Sequence, residues 1–206
     1  MYIKNPMDIE NKSMDIIDSV MGDTNFSPEE MIVAKRMIHT TGDFEYRKII
    51  HFQNDFLKVA KEEIEKGARI FTDTKMSSIG INKPALAKAN SELFCFIDDE
   101  RVLKMSKEKK TTRSACAVDL AIDQGIDIFV IGNAPTALFR ILELVKENKI
   151  NPKFIVGVPV GFVGAAESKE YLREFHIPAI STIGNKGGSN VAASIINALL
   201  YMVVGR

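Results

Sequence analysis

The sequence predicts an α/β fold of three layers, with a largely parallel sheet, helices on both faces and two helices ahead of it at the N-terminus. Two observations carry this. Beyond residue 48, short apolar runs alternate with helical patterns, as in a parallel sheet whose crossovers are helices. The chain also has 206 residues, 46% of them hydrophobic, and no repeat or low-complexity linker, which suits one buried core. Residues 1–206 are therefore read as a single domain.

The two leading helices are expected at 8–21 and 28–41. The second is well marked, with Ser27 as N-cap, Pro28 at the first helical position, Glu30 three residues on and Gly42 ready to close it. Strand runs follow at 48–52, 69–72, 93–97, 126–131, 154–158 and 179–183, and helical stretches lie near 55–66, 113–124, 136–148, 168–175 and 189–203. Right-handed crossovers should connect them. The long stretch 98–112 shows no clear pattern and is a candidate lid or dimer arm, although its charge clusters equally fit a plain surface helix. The most apolar stretch, 191–204, is shorter than the roughly 18–20 residues needed to span a bilayer, and Ser194 and Asn197 interrupt it. It reads as a buried helix.

Composition narrows the function. Charge is balanced, with 27 basic and 27 acidic residues, and no basic arm or aromatic-basic stripe points to nucleic acid. The one dense basic run, Lys104 to Arg113, is a solvated loop or the flank of a site for an acidic ligand. Cys95 and Cys116 fit reduced, buried thiols, and nothing near the N-terminus resembles a signal peptide. A cytoplasmic protein without a membrane span is expected.

His39 is the most informative residue. It falls in the last turn of the second helix, where unpaired carbonyls and the negative end of the dipole favour imidazolium, a usable acid near neutral pH. Arg36 lies one turn back on the same face and opposes that charge unless an anion covers it. The plainer alternative is a histidine that merely caps the helix.

In an open α/β sheet, ligands bind beyond the carboxyl ends of the strands. Three turns there are rich in glycine: Gly132-Asn133-Ala134-Pro135-Thr136, Gly157-Val158-Pro159-Val160-Gly161-Phe162-Val163-Gly164 and Gly184-Asn185-Lys186-Gly187-Gly188-Ser189-Asn190. Together they are expected to form a polar floor of backbone donors for an anionic ligand. Lys186 precedes its glycines, so the phosphate-loop order is missing, and a nucleotide site has little support. Arg113 opens a helix where an acid is more usual, and there it grips a ligand carboxylate or pairs with Asp73, Asp98 or Asp99. His51 and His176 read as structural. No metal-binding or nucleophile motif is present, and no metal or cofactor is expected.

Taken in order, seven segments resemble the precorrin-8X methylmutase family, cobalt-precorrin-8 methylmutase in the anaerobic branch of cobalamin biosynthesis. They are Pro6-x-x-Ile9-Glu10-x-x-Ser13, Arg36-x-x-His39-Thr40-Thr41-Gly42-Asp43, Asp73-x-x-Met76 with Gly80-Ile81, Thr112-Arg113-Ser114-Ala115, Gly132 to Leu138, Gly157 to Lys169, and Gly184-x-Lys186-Gly187-Gly188-Ser189. The likeness runs from Pro6 to about Tyr201. It implies an isomerase that moves a methyl group from carbon 11 to carbon 12 of precorrin-8X or cobalt-precorrin-8, giving hydrogenobyrinate or cobyrinate without a redox cofactor. His39 is implied as the acid that protonates ring C, and Ser13, Thr40, Arg113 and Ser77 as substrate contacts, with Ser78 beside it. Arg36 and Lys186 are further candidates for the substrate's carboxylates. A homodimer with its sites near the interface is also implied. Met14 stands where the family usually has an aromatic, and Cys116 where it has alanine.

Such a tetrapyrrole carries many carboxylates, so it needs a wide rim of N–H groups and cations with one acid near the ring. The reading from another class is a corrinoid carrier that holds product and hands it on. A phosphate-ester enzyme on the same fold would need a metal or base cluster that the sequence lacks.

Overall fold

The computed structural model describes residues 2–205; Met1 and Arg206, the ends of the expected domain span, lie outside the described residues. Helices α1 (Pro6–Met21) and α2 (Pro28–Thr41) come first, and a single turn, α3 (Tyr46–Ile49), leads into β1 (Ile50–Gln53). There follow α4 (Phe56–Glu65), β2 (Arg69–Thr72), α5 (Lys75–Gly80), α6 (Lys83–Lys88), β3 (Glu92–Phe94) and α7 (Glu100–Glu108). The chain then runs through α8 (Arg113–Asp123), β4 (Ile128–Ile131), α9 (Pro135–Lys146), β5 (Phe154–Gly157), α10 (Ala165–Arg173), β6 (Ala179–Thr182) and α11 (Ser189–Val204).

The strands form one sheet in the order β1-β6-β5-β4-β2-β3, parallel throughout except for β1, which runs antiparallel to β6. Strand alternation divides the core. Ile70, Ile128, Val130, Phe154, Val156 and Ile180 face the layer that contains α2, α4 and α11, while Phe71, Phe129, Ile131, Ile155 and Ala179 face α8, α9 and α10. Each fully buried aliphatic or aromatic side chain contributes about 1.5–3 kcal/mol, so both helical layers are held firmly against the sheet.

Local signals set α2 as expected. Ser27 and Glu30 form the reciprocal capping box, and Gly42 closes the helix at φ 64° with its N–H donating to Ile38 O at 2.8 Å. The central stretch of α11 is buried, and its polar interruptions are satisfied: Ser194 Oγ donates to Val191 O, and Asn197 accepts from Asn82 N–H and donates to Gly80 O.

Two expectations change and one alternative is chosen. Segment 98–112 contains the surface helix that its charge clusters allowed: Asp99 caps α7, whose Val102 is buried against the layer of α8. The stretch between β2 and β3 contains two short helices that sequence periodicity did not mark, because six residues are too few to show a period. Helix α10 begins at Ala165, three residues before its expected start, where Gly164 turns the chain at φ 77°. Both cysteines are free, Cys116 buried and Cys95 only half-buried. Among the described residues, no helix is long and apolar enough to cross a membrane.

Candidate functional site

The order of the strands places a topological switch point between β2 and β4, since β3 lies on one side of β2 and β4 on the other. A ligand would be expected in the crevice there. Asp73 occupies it instead. Its carboxylate accepts N–H bonds from Gly132 at 3.0 Å, Asn133 at 2.8 Å and Ala134 at 2.7 Å, and its side chain is fully buried. Burial pushes its pKa up, opposed by those three N–H groups. The first glycine turn is therefore not part of an open donor floor, because the protein supplies its own anion.

The other two turns also use donors on each other. Gly188 N–H bonds Val158 O at 2.9 Å, and Gly161 N–H bonds Asn185 O at 3.1 Å. A Cβ on Gly187 would lie 2.1 Å from Val158 O, and one on Gly132 would lie 2.8 Å from Ser189 Cα. These glycines let the turns interlock. Phe162 and Val163, at the tip of the middle turn, project into solvent at 91% and 90% exposure.

Lys186 leaves the last turn towards the end of α2. Its ammonium forms ion pairs with Asp43 and, at 2.5 Å, with Glu45, so its charge is already matched by two carboxylates. Tyr46 Oη adds a bond to Gly187 O at 3.4 Å. Asp43 is held below the usual carboxylate range by Lys186 first and by the Glu45 N–H second, and Lys186 is pushed up in turn.

His39 stands just before this junction, exposed, in a hollow of about 250 Å³ lined by Ser13, Ile16, Ile17, Ile38, Gly42 and Phe44. The structure thus brings Ser13 and His39 together across the α1–α2 contact. The helix end is closed without the histidine, since Met37 O and Ile38 O accept from Thr41 Oγ1 and Ile38 O also from Gly42 N–H. This argues against the capping reading. Thr40 is exposed beside it. Arg36 turns away: it pairs with Glu10 at 3.1 Å and lies over the Tyr201 ring at 5.5 Å, fastening α1 to α2. Larger hollows of about 540 and 470 Å³ lie by residues 21–26 and between α8 and α9, and neither contains His39.

Arg113 lies at the other end of the same edge. It pairs with Asp98 at 3.6 Å, and Asp98 is also held by Lys75, so two exposed cations share one carboxylate. From β2 and β3 to β6 is three to four strand spacings, roughly 15–20 Å, which separates Arg113 from Lys186. Ser77 does not reach the rim. It is fully buried, its hydroxyl 3.0 Å from Thr74 Oγ1, which in turn meets Ser189 Oγ at 2.8 Å, so it braces α5 against α11.

Sequence reasoning missed Asp43, Glu45, Lys75 and Asp73 in these roles, and it missed that Lys169 is fully buried. Lys169 alone left a signal: Ala165, Ser168 and Leu172 mark the inner face of α10, and that spacing puts Lys169 inside as well. His51 sits in β1 opposite Ser181, its pKa lowered by burial and by Arg173, while His176 is exposed rather than packed.

A family model described as Precorrin-8X methylmutase matches residues 8–202. A Salmonella typhimurium protein named cobalt-precorrin-8 methylmutase is 46% identical over 97% of each chain. A Sinorhizobium protein named precorrin-8X methylmutase is 37% identical over 96% of this chain and 95% of its own. The crystal structure of a precorrin-8X methylmutase from Thermus thermophilus superposes with a TM-score of 0.89 at 35% identity, covering 96% of both chains.

Proposed function

This chain belongs to the precorrin-8X methylmutase family, isomerases of cobalamin biosynthesis, and from that premise we propose that it moves a methyl group from carbon 11 to carbon 12 of the corrinoid ring with His39 as general acid. The C11–methyl bond breaks as the C12–methyl bond forms. Substrate and product are isomers, so a proton that His39 lends to ring C is returned once the methyl has moved.

The observation that carries this reading is the setting of His39: a last-turn histidine, free of capping duty, facing a hollow it shares with Ser13. The hollow is small, so one edge of the macrocycle enters it while carboxylates elsewhere on the ring reach Arg113 and Lys75 along the rim. General acid assistance contributes about 10²- to 10⁴-fold, and positioning supplies the rest. The Salmonella relative, more similar than the Sinorhizobium one, carries the cobalt-precorrin-8 name, which favours the cobalt-bearing substrate. A homodimer accords with the exposed Phe162 and Val163 on the same edge, an apolar tip that a second copy would shield.

The test is turnover. Wild-type protein given cobalt-precorrin-8 should change its visible spectrum, because methyl migration alters the conjugated system, and should do so faster than with the metal-free precursor. His39→Ala should still bind but turn over at least about 100-fold more slowly, and His39→Asn nearly as slowly. A bound corrinoid whose spectrum never changes would make the protein a carrier. Near-normal turnover by His39→Ala would remove the acid assignment.

A further inference from the structure

Asp73 and Lys169 are the two charged side chains buried completely among the described residues. Asp73 is met by three N–H groups. Lys169 makes no ion pair; its ammonium donates to Thr182 Oγ1 at 3.0 Å and to the backbone carbonyl of Lys186 at 2.8 Å. Thr182 Oγ1 also donates to that carbonyl, at 2.6 Å, so Lys186 O would stay satisfied without the lysine. Burial, with Arg173 one turn further along α10 adding to it, pushes the lysine down to about 8. A buried cation without a counter-charge is costly, and a flexible apolar side chain of similar length would fill the same space without that cost.

The use of the charge lies at the other end of Lys186. The residue whose carbonyl Lys169 holds sends its own ammonium to Asp43 and Glu45, and its neighbour Gly187 accepts from Tyr46. Asp43 N–H bonds Thr41 Oγ1 at 3.3 Å, and Thr41 Oγ1 donates into the last turn of α2 at Met37 O. A continuous set of contacts therefore runs from the interior of α10, through the 184–188 turn, to the helix turn that bears His39.

We propose that Lys169 is a positioning residue: from within the core it fixes the 184–188 turn and, through Lys186, sets the end of α2 and the aim of His39. This rests on the reading of His39 as the acid. It makes Lys169 a residue held at the expense of stability for the sake of the site, the trade-off common in active-site surroundings.

The experiment uses Lys169→Met, Lys186→Met and the double variant in the full chain, with thermal unfolding, turnover of cobalt-precorrin-8 and the ring-proton resonances of His39 as readouts. Lys169→Met should unfold at the same temperature as wild type or higher. Its kcat should fall by about 10- to 100-fold, the scale of a misplaced catalytic group, while KM changes far less. The double variant should be no slower than the slower single one, since both act through one link. The His39 resonances should move in both single variants. That last readout does not depend on turnover, so an inactive wild type would fault the proposed function while the proposal about Lys169 was still decided. Unmoved resonances, multiplied losses in the double variant, or a Lys169→Met protein that unfolds early or fails to fold would each overturn the proposal; the last would make Lys169 part of the scaffold.

Discussion

Lys186 and Asp43, 143 residues apart in sequence, form an ion pair that ties the last glycine turn to the end of the helix bearing His39. Asp43 is lowered by this pair, and a carboxylate lowered in the folded state contributes stability that is full above its unfolded value and lost as pH falls through the folded one. The tie is therefore complete at neutral pH and is lost only in acid, as pH falls from the ordinary carboxylate value of 3.8 through the lower folded one. Because the pair is partly exposed, Asp43→Asn should cost less than about 1 kcal/mol in urea unfolding while slowing turnover at pH 7. Unaltered turnover would leave the pair a surface contact only.

Lys169 has the same sign of pH dependence for the opposite reason, since here burial disfavours the charged form. A lysine lowered to about 8 holds fewer protons folded than unfolded between that value and the ordinary 10.5, so stability rises with pH across that window. Below it the cost of burial is complete. The unfolding free energy of wild type relative to Lys169→Met should rise by up to about 3 kcal/mol between pH 7.5 and 10. A constant difference between the two proteins across that range would mean that folding leaves this lysine unperturbed.

At the far end of the rim, Arg113→Ala should weaken corrinoid binding by about 1.5–3 kcal/mol, the size of a charge-assisted hydrogen bond. Asp98→Asn should tighten it, because Asp98 occupies both Arg113 and Lys75 in the free protein. Titration of the corrinoid against both variants checks the pair of signs. Equal affinity in all three proteins would reduce the cluster to an ion pair of the scaffold.

Two glycines of one turn should differ sharply. Gly187→Ala puts a Cβ 2.1 Å from backbone at Val158 O, which cannot swing aside, and should cost roughly 3 kcal/mol. Gly184→Ala meets nothing within 4 Å and bears only the strain of φ 73°, about 1 kcal/mol. Thermal unfolding of the two variants measures the gap, and similar losses would speak against interlocked turns.

Much of this arrangement was legible in the sequence where its cause is local. The capping box at Ser27 and the turn at Gly42 depend on neighbours a few residues away, so the end of α2, and with it the place of His39, could be read directly. The apolar strands and the buried α11 follow from runs of side chains that water excludes. Short helices α5 and α6 escaped because they hold too few residues to show a period, and α7 stayed one of several readings because its charged surface hides a single buried valine.

What the sequence by itself determined was the order of the strands and of the longer helices, the edge of the sheet where a ligand is expected, and the residues available there. Only the tertiary structure decided which partners each of them has within the chain. Glycine turns permit either an open cradle of donors or close packing, and the choice fell to Asp73, 59 residues before Gly132, whose carboxylate took the donors first. Here Ser77 is held by Thr74 and Ser189, Arg36 by Glu10, and Lys186 by Asp43 and Glu45. A polar side chain satisfies itself with whatever the fold brings within about 3 Å, and that distance is set by contacts between segments far apart in the chain rather than by the local pattern.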